Sequence, residues 1–527
     1  MGKPTKRIKG MTVISLIFLL ALAGRLYYIQ IVCGDALREG AQGQQVIQIQ
    51  FQKDRGTIYD RNMIPLTDNC LSYYYLLPRS EDTADLEKLM RQIGGSVSGS
   101  KGEDYVVYKA ERFNKEVNRK LTEEHGAYVF CSGSRYDDDQ LAAHLIGYVS
   151  GSDKTGEAGL EKMFQYRLST SPARLLMMGN GIGEPIRGIG VTRSEDRQTI
   201  EPSALVTTID AALQARVEKI MQEKQVTGAV VIMQPGTGQI LAMASTPTFN
   251  PNQMEQYLSS DQGELLNKAV QGQYPPGSVF KIVVAAAALE SGKVALDETF
   301  DCSGSVEVNG VKLSCDDHPE GHGRVNFEEA FALSCNGFFA AAASKIGSET
   351  IIDMAERMGL GRAVIDGFPD EETGAFPTKE DRIYSGLSNL AVGQGSLLVT
   401  PVQIARMTNI VASGGIDYPV SVTMSKESQE AEGKRVMTQV TAMEVSQMMQ
   451  RVFEAGTASG ASLSVKAAGK TGSAESGNNG AYTVHGWFTG FFPADNPEYT
   501  VTVIAENGKT GSSSALPVFE EIVNSLY

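Results

Sequence analysis

Apolar and polar positions follow two different patterns on either side of residue 200. Before it, short apolar segments such as LSYYYLL (71–77), DYVVYKA (104–110) and AYVFC (127–131) alternate with polar helical stretches and Gly/Ser loops. Short apolar runs between turn residues are typical of strands. This half therefore predicts an open, non-catalytic α+β module.

After residue 200 the pattern predicts a larger domain. LVTTIDAALQARVEKIM (205–221) indicates a strand and an amphipathic helix, and GAVVIMQPGTGQILAMAS (228–245) indicates two strands joined by a turn. A mainly helical middle follows, and strands return in VKAAGKTG (465–472), HGWFTGFF (485–492) and EYTVTVIAEN (498–507) before a closing helix. Because strands from both ends enclose the helices, we predict an antiparallel sheet with helices on its faces.

The longest apolar stretch lies at the N-terminus. Residues 1–10 hold four basic side chains, and residues 11–32 are apolar apart from a few positions such as Arg25. That span reaches about the 20 residues needed to cross a bilayer. A cleaved signal peptide is the alternative, since Ala21-Leu22-Ala23 resembles a cleavage site. The apolar run that resumes after Arg25 favours a retained anchor with residues 1–10 in the cytoplasm.

Length and charge narrow the function. The 527 residues leave room for two or three domains, and the formal net charge is −15. A nucleic-acid partner would require a basic face or stripe, so we expect none. We predict a non-catalytic module over residues 34–200 and a catalytic domain over residues 201–527, both extracytoplasmic.

The stretch YPPGSVFK (274–281) combines a serine with a lysine three residues later. A serine after a Pro/Gly break often caps a helix, but a lysine in the first turn opposes the helix dipole. One helical turn apart, the two side chains instead suit a nucleophile, Ser278, and its base, Lys281. A second Ser-x-x-Lys, Ser98 to Lys101, lies in a Gly/Ser loop where no helix would hold the pair.

Two further motifs each have a second copy. Ser334-Cys335-Asn336 lies between two apolar helices, whereas Ser476-Gly477-Asn478 lies in a polar loop. Lys470-Thr471-Gly472-Ser473 ends a predicted internal strand, whereas Lys509-Thr510-Gly511 follows the last strand. The context selects the copies at 334 and 470.

Ser-x-x-Lys, Ser-x-Asn and Lys-Thr-Gly in this order form the signature of the penicillin-recognising serine enzymes. The chain resembles the class B penicillin-binding proteins, monofunctional peptidoglycan D,D-transpeptidases, and in particular their elongation and sporulation type. The resemblance covers nearly the whole chain. It rests on DRGTIYDRN (54–62), LAAHLIGYV (141–149), GEAGLEKMFQYRL (156–168), VTTIDAALQ (206–214), AVGQGSLLVTPVQIA (391–405) and HGWFTGFFP (485–493).

The resemblance implies a β-lactamase/transpeptidase-like fold with an all-helical subdomain, preceded by a pedestal or dimerisation module. It also implies a role for each motif residue. Ser278 attacks a D-Ala-D-Ala stem peptide, Lys281 is the base, Ser334 relays the proton and Asn336 holds the substrate's peptide group. The terminal carboxylate is received by Lys470, Thr471 and Ser473, and Gly472 is a further substrate-binding residue. The oxyanion donors are the backbone N–H groups of Ser278 and Ser473.

The resemblance further implies stem peptides, β-lactams, the membrane, a SEDS-type glycan polymerase and other wall-synthesis proteins as partners. No cofactor is required for catalysis. A D,D-carboxypeptidase is the alternative enzyme, and a β-lactam sensor or scaffold is the alternative non-enzyme. A β-lactamase would not need the long N-terminal part, and a bifunctional glycosyltransferase would need a catalytic one.

Cysteine, aspartate and histidine crowd the segment before Ser334. A hairpin with a four-residue loop, Glu307–Gly310, would place Cys302 opposite Cys315 and Asp301 opposite Asp316. The cysteines would then be close enough for a disulfide, and the aspartates would repel each other unless a cation lay between them.

His322 and Cys335 supply nitrogen and sulfur, which favour zinc among cations. The hypothesis is a structural zinc ion held by Asp301, Asp316, His322 and Cys335, a site that elongation-type members of the family can carry. The alternatives are a disulfide alone, or a solvated acidic loop beside a buried Cys335.

Overall fold

The computed structural model describes most of the chain. The described residues are 4–33, 46–50, 55–78, 84–99, 105–110, 112–150, 154–169, 174–178, 192–194, 204–308, 311–315, 318–478 and 481–527.

The strands of these residues are numbered in chain order. They are β1 (Val46–Gln50), β2 (Ile58–Tyr59), β3 (Cys70–Pro78), β4 (Ser96–Gly99), β5 (Tyr105–Ala110), β6 (Tyr128–Ser134), β7 (Arg174–Met178), β8 (Thr192–Ser194), β9 (Leu205–Val206), β10 (Gly228–Met233), β11 (Ile240–Thr246), β12 (Phe300–Cys302), β13 (Ser305–Val308), β14 (Val311–Ser314), β15 (Gly323–Val325), β16 (Ile416–Asp417), β17 (Lys434–Arg435), β18 (Ala468–Asn478), β19 (Ala481–Phe492) and β20 (Tyr499–Ala505).

The α-helices are numbered in the same way. They are α1 (Pro4–Tyr27), α2 (Ala84–Gln92), α3 (Lys115–Glu123), α4 (Ala143–Ile146), α5 (Gly159–Met163), α6 (Gln165–Leu168), α7 (Ala211–Glu223), α8 (Met254–Tyr257), α9 (Lys281–Ser291), α10 (Phe327–Ala332), α11 (Asn336–Ile346), α12 (Ser348–Arg357), α13 (Ser385–Ala391), α14 (Pro401–Ala412), α15 (Lys426–Gln429), α16 (Gln439–Ala455) and α17 (Leu516–Leu526).

Two compact units divide the chain. The first comprises Met1–Arg55, Leu71–Gly133 and Thr170–Glu201, and the second comprises Gly56–Cys70, Ser134–Ser169 and Pro202–Tyr527. The chain passes for the last time from the first unit to the second after Glu201, close to the predicted boundary near residue 200. However, residues 56–70 and 134–169 also belong to the second unit. The pairing of β2 with β9 shows why, because the Leu205 N–H donates to the Thr57 carbonyl oxygen and the Thr207 N–H to the Tyr59 carbonyl oxygen within that unit.

The first unit contains the predicted α+β module. Its four-stranded sheet has the order β4-β5-β3-β6, and α2 and α3 contribute Leu86, Leu89 and Leu121 to a small core with Tyr75 and Leu77. α1 continues as a π-helical turn to Val32. Within the described residues, one helix, over Ile8–Val32, is long and apolar enough to cross a membrane.

The second unit contains the predicted antiparallel sheet. Five strands pair in the order β11-β10-β20-β19-β18. β10, which precedes the helical middle of the sequence, therefore pairs with β20, which follows it. α7, α14 and α17 pack against these strands, and α9 packs among α11, α12 and α16. The predicted fold, a sheet flanked by helices with a helical subdomain, is confirmed.

The hairpin before Ser334 differs from the prediction. β13 and β14 pair from Ser305 with Ser314 to Val308 with Val311, so only residues 309–310 separate them. The predicted four-residue loop was wrong because a two-residue Asn-Gly connection matches the natural twist of paired strands. β12 pairs instead with β15, which places Asp301 opposite Arg324 and Cys302 opposite Gly323.

Candidate active site

Ser278 lies in a tight turn at the entrance to α9. Gly277–Phe280 form a 3₁₀ turn, and the α-helix begins at Lys281. Ser278 is therefore inside the turn and does not cap the helix, because the N-cap position falls on Pro276. Gly277 has φ +56°, and an added Cβ would lie 2.5 Å from the Ser473 carbonyl oxygen. Only glycine suits this close approach between the turn and β18.

Ser334 connects Ser278 with Lys281. Ser334 lies between α10 and α11 with φ +57°, a left-handed conformation that non-glycine residues adopt only where the surroundings enforce it. Its Oγ lies 3.0 Å from Ser278 Oγ and 3.1 Å from Lys281 Nζ. Lys281 Nζ also donates to the Ser334 carbonyl oxygen at 2.7 Å. The three predicted side chains thus form one continuous hydrogen-bonded path.

Asn336 joins this network at the first residue of α11. Its Oδ1 accepts from Lys281 Nζ at 2.7 Å, and its Nδ2 donates to the Ser314 carbonyl oxygen at 2.7 Å. Each end of the side-chain amide thus makes one hydrogen bond. An amide also has a second N–H and a second acceptor lone pair, which can serve a substrate peptide group.

The Lys-Thr-Gly motif lies near the start of β18, an edge strand of the sheet, so the prediction that it ends an internal strand was wrong. Among the described residues, no strand pairs with the outer side of β18. Thr471 Oγ1 lies 2.6 Å from Thr457 Oγ1. Ser473 is exposed, and its Oγ accepts from the Gly511 N–H at 3.2 Å. Because the Ser473 oxygen is the acceptor in this contact, its own hydroxyl hydrogen is available to a ligand.

Both lysines of the site are fully buried. Lys281 lies 5.3 Å from the ring centroid of Phe339, and Lys470 lies 5.8 Å from that of Phe331. Burial lowers the pKa of Lys281 to about 8. Burial, together with the charge on Lys281, lowers the pKa of Lys470 well below its usual range. A neutral amine in this pair is therefore accessible near neutral pH.

The second copies of the motifs lie elsewhere. Ser98 is on β4 rather than in the predicted loop, and Lys101 is outside the described residues. Ser476 is also on a strand rather than in the predicted loop, since it lies opposite Thr483 towards the far end of β18. Lys509 is exposed after β20. The structure gathers the predicted copies at 278, 334 and 470 around one site.

A cluster of three thiols and one imidazole lies beside Ser334. Cys315 Sγ lies 3.7 Å from Cys302 Sγ and 3.9 Å from Cys335 Sγ, and His322 Nδ1 lies 3.4 Å from Cys302 Sγ. All four ligand atoms lie within 4.8 Å of one another. We call these four residues the Cys₃His cluster. Sequence reasoning placed Cys302 and Cys315 only in a disulfide, whereas here the two thiols are free.

Asp301, one of the two carboxylates predicted as ligands, is not part of this cluster. Asp301 is exposed on β12 and lies opposite Arg324, because β12 pairs with β15 rather than with the strand before Asp316. Asp316 lies outside the described residues. His322 and Cys335 are brought together as predicted.

Comparisons with known proteins identify the family. Residues 228–524 match the family model described as the penicillin binding protein transpeptidase domain. The chain belongs to this family. Peptidoglycan D,D-transpeptidase MrdA of Acinetobacter baumannii is 28% identical over 96% of this chain and 85% of its own. Stage V sporulation protein D of Bacillus subtilis is 27% identical, with 98% and 85% covered.

A solved structure resembles the chain over its whole length. It belongs to a study of how a peptidoglycan synthase complex coordinates polymerization and crosslinking; the match covers 99% of each chain, with 25% identity and a TM-score of 0.76. The predicted membership of the class B penicillin-binding proteins, serine acyltransferases of peptidoglycan synthesis, is confirmed.

Several residues that surround the penicillin-binding site were not predicted. Gln394 Nε2 donates to the Ser473 carbonyl oxygen at 3.4 Å, and the Gly393 carbonyl oxygen accepts from the Gly277 N–H at 2.8 Å. Thr457 contacts Thr471. The sequence signal for the first two was the segment 391–405, which already carried the family resemblance, but nothing in the sequence marked Thr457.

Proposed function

We propose that Ser278 forms the acyl-enzyme of this D,D-transpeptidase. The observation that carries the proposal is the path from Ser278 through Ser334 to Lys281, with oxygen and nitrogen atoms 3.0 and 3.1 Å apart. The Ser278 oxygen attacks the carbonyl of the penultimate D-alanine of a stem peptide, and the terminal D-alanine leaves. The amine of a second stem peptide then attacks the ester, which forms the cross-link and frees Ser278.

Lys281 is the base in this proposal. Neutral Lys281 takes the Ser278 proton during attack, and Ser334, which contacts both groups, passes a proton to the departing amine of D-alanine. Burial favours the neutral amine that this step requires. A substrate carboxylate beside Lys470 would favour the charged form of that lysine, and its charge would then disfavour a proton on Lys281.

The edge strand β18 binds the rest of the substrate. Lys470, Thr471 and Ser473 receive the terminal carboxylate, and Gly472 lets the strand pass close to the turn, since its Cβ would lie 3.1 Å from the Pro276 carbonyl oxygen. The backbone N–H groups of Ser278 and Ser473 hold the oxyanion. Each donor of this kind contributes about 3 to 4 kcal/mol to transition-state stabilisation.

The apolar helix over Ile8–Val32 anchors the protein in the cell membrane. The basic residues before it place the N-terminus in the cytoplasm and everything after Gly34 outside. Because relatives include a peptidoglycan synthase complex that couples polymerization with crosslinking, we propose a SEDS-type glycan polymerase as partner. Stem peptides and β-lactams are the ligands of the Ser278 site.

Product analysis separates the transpeptidase from a D,D-carboxypeptidase. Incubated with its glycan polymerase and lipid-linked precursor, the full-length protein is expected to release D-alanine and to form cross-linked dimers in comparable amounts. Chromatography with mass spectrometry of the muropeptides measures both. Release of D-alanine without any dimer would indicate that water, not an amine, is the acceptor.

We also propose that the Cys₃His cluster is a structural zinc site, with Cys302 and Cys315 in place of the two aspartates. Tetrahedral Zn–S bonds of about 2.3 Å place sulfur atoms about 3.8 Å apart. The separations of 3.7 and 3.9 Å fit this geometry, whereas a disulfide would require about 2.05 Å. His322 Nε2 is buried without a hydrogen-bond partner in the described residues. Zinc here would brace Ser334 and Asn336 through Cys335.

Elemental analysis tests this site. Protein purified without chelator is expected to contain about one zinc ion per chain, and His322→Ala should lose the zinc and melt at a lower temperature. Asp301→Ala is the matched control, because Asp301 is exposed and outside the cluster; it should retain zinc. If Asp301→Ala loses the metal and His322→Ala keeps it, the proposed cluster would be wrong and the originally predicted aspartate ligands would be favoured. Metal-free wild type with an unchanged melting temperature would exclude a structural ion.

A further inference from the structure

A largely buried group of side chains lies behind the Ser278 turn and has no part in the reaction steps above. It consists of Lys268, Tyr274, His485, Trp487 and Glu506, which we call the Tyr274 cluster. Tyr274 and Pro275 come directly before the Pro276-Gly277-Ser278 segment. A contact that holds these two residues therefore also limits where Ser278 lies.

Glu506 holds the Tyr274 side chain. The Tyr274 hydroxyl donates to Glu506 Oε1 at 2.6 Å, and Lys268 Nζ donates to Glu506 Oε2 at 2.5 Å. Hydrogen bonds to a carboxylate are stronger than neutral ones, and the short distances agree with this. Burial and the Glu506 charge raise the pKa of Tyr274, so its hydroxyl stays protonated as a donor.

Trp487 holds the main chain of the next residue. Its Nε1–H donates to the Pro275 carbonyl oxygen at 3.0 Å, and its ring meets the Tyr274 ring edge to face, with centroids 6.0 Å apart. His485 adds a second edge-to-face contact to Tyr274 at 5.3 Å. Tyr274 also exchanges two backbone hydrogen bonds with Val399, each of 2.9 Å.

Trp487 lies on the strand next to the one that carries Ser473. Trp487 on β19 lies opposite Gly472 on β18, and Gly486 lies opposite Ser473. The strand that binds Pro275 is therefore paired with the strand that carries Ser473. The Trp487 contact thus ties the Ser278 turn to the strand of the second oxyanion donor.

We propose that Tyr274, Trp487 and Glu506 are positioning residues that set the spacing of the Ser278 and Ser473 backbone N–H groups. This inference rests on the proposed acylation of Ser278. Donors at an oxyanion site act only when they are aimed at the developing charge, and misplacement by about 1 Å costs on the order of 100-fold in rate. Loss of one contact in the cluster should therefore slow acylation more than it weakens initial binding.

Labelling of the full-length protein by a fluorescent penicillin separates the acylation rate from initial binding. The labelling is followed over time at several penicillin concentrations. Trp487→Phe and Tyr274→Phe keep an aromatic ring but remove the donor. Each is expected to lower the limiting acylation rate constant about ten-fold, while the concentration that gives half the limiting rate changes less than about two-fold and final labelling stays complete.

A pair of double variants tests the hydrogen bond apart from the charges. Lys268→Met with Glu506→Gln removes both charges but leaves an acceptor for Tyr274, so the wild-type rate constant is expected. Lys268→Met with Glu506→Leu removes the acceptor as well, and the rate constant should fall as in Tyr274→Phe. Equal loss in both pairs would overturn the proposed role of the Tyr274 hydrogen bond.

Tyr527→Phe is the matched control, because it also removes a tyrosine bond to a glutamate, Glu498, at 2.9 Å. It should acylate at the wild-type rate. If Trp487→Phe and Tyr274→Phe do so too, or if they change binding and rate constant alike, the positioning role is wrong while the acylation of Ser278 stands. If wild-type protein is not labelled at all, the proposed function itself fails.

Discussion

Ser278→Ala is expected to abolish covalent labelling by penicillin. The hydroxyl oxygen of Ser278 is the atom that forms the ester, and alanine leaves no nucleophile in its place. Wild-type protein should carry one adduct per chain, and mass spectrometry of its peptides should place that adduct on Ser278. The loss should be complete rather than partial, because binding alone leaves no covalent product.

Two controls define this result. Ser98→Ala removes the serine of the other Ser-x-x-Lys and should label like wild type. Ser334→Ala keeps the nucleophile but interrupts the contacts to Ser278 Oγ and Lys281 Nζ, so labelling should become slow without disappearing. An adduct on Ser334 or on another serine of folded wild type would contradict the assignment of Ser278.

The sequence predicted the parts of this protein that depend on local pattern. Alternating and continuous apolar runs predicted β10, β11, β19 and β20, since buried strands require them. The local context of three short motifs selected Ser278, Ser334 and Lys470 from several copies. In both cases the signal lies within a few neighbouring residues.

Contacts between distant segments could not be predicted from such local patterns. The Cys₃His cluster depends on which strands pair, because β12 pairs with β15 while β13 pairs with β14, and Asp301 then stays outside the cluster. Residues 134–169 belong to the second unit because they pack with segments that follow them by more than a hundred positions. The bonds of Trp487 to Pro275 and Tyr274 to Glu506 span 212 and 232 residues, distances at which a single sequence carries no pairing signal.

The role of the Ser278 hydroxyl depends on where the helix begins. Had Ser278 capped the helix, backbone N–H groups would have occupied its hydroxyl. The 3₁₀ turn instead moves the start of the α-helix to Lys281 and leaves the hydroxyl in contact with Ser334. The turn thus places Ser278 and Lys281 on either side of the same Ser334 oxygen.

Lys470→Met is expected to lower the acylation rate constant by about 100-fold or more, whereas Lys509→Met should leave it unchanged. Lys470 is fully buried beside the site, where a charged amine would attract the substrate carboxylate strongly because little water screens it. Methionine keeps most of the volume of the lysine stem, so the core beside Phe331 stays filled. Lys509 is exposed on the other Lys-Thr-Gly copy, and its side chain faces solvent.

The same time course of penicillin labelling measures both variants, and thermal melting checks that each is folded. The comparison is stringent because the two copies are in contact: the Gly511 N–H donates to Ser473 Oγ at 3.2 Å. The Lys509 side chain has no part in that bond. If the second copy contributes only through its backbone, Lys509→Met should therefore acylate at the wild-type rate. A fall of similar size in both variants would mean that Lys509 also acts on the substrate, and the assignment of the carboxylate site to β18 alone would be wrong.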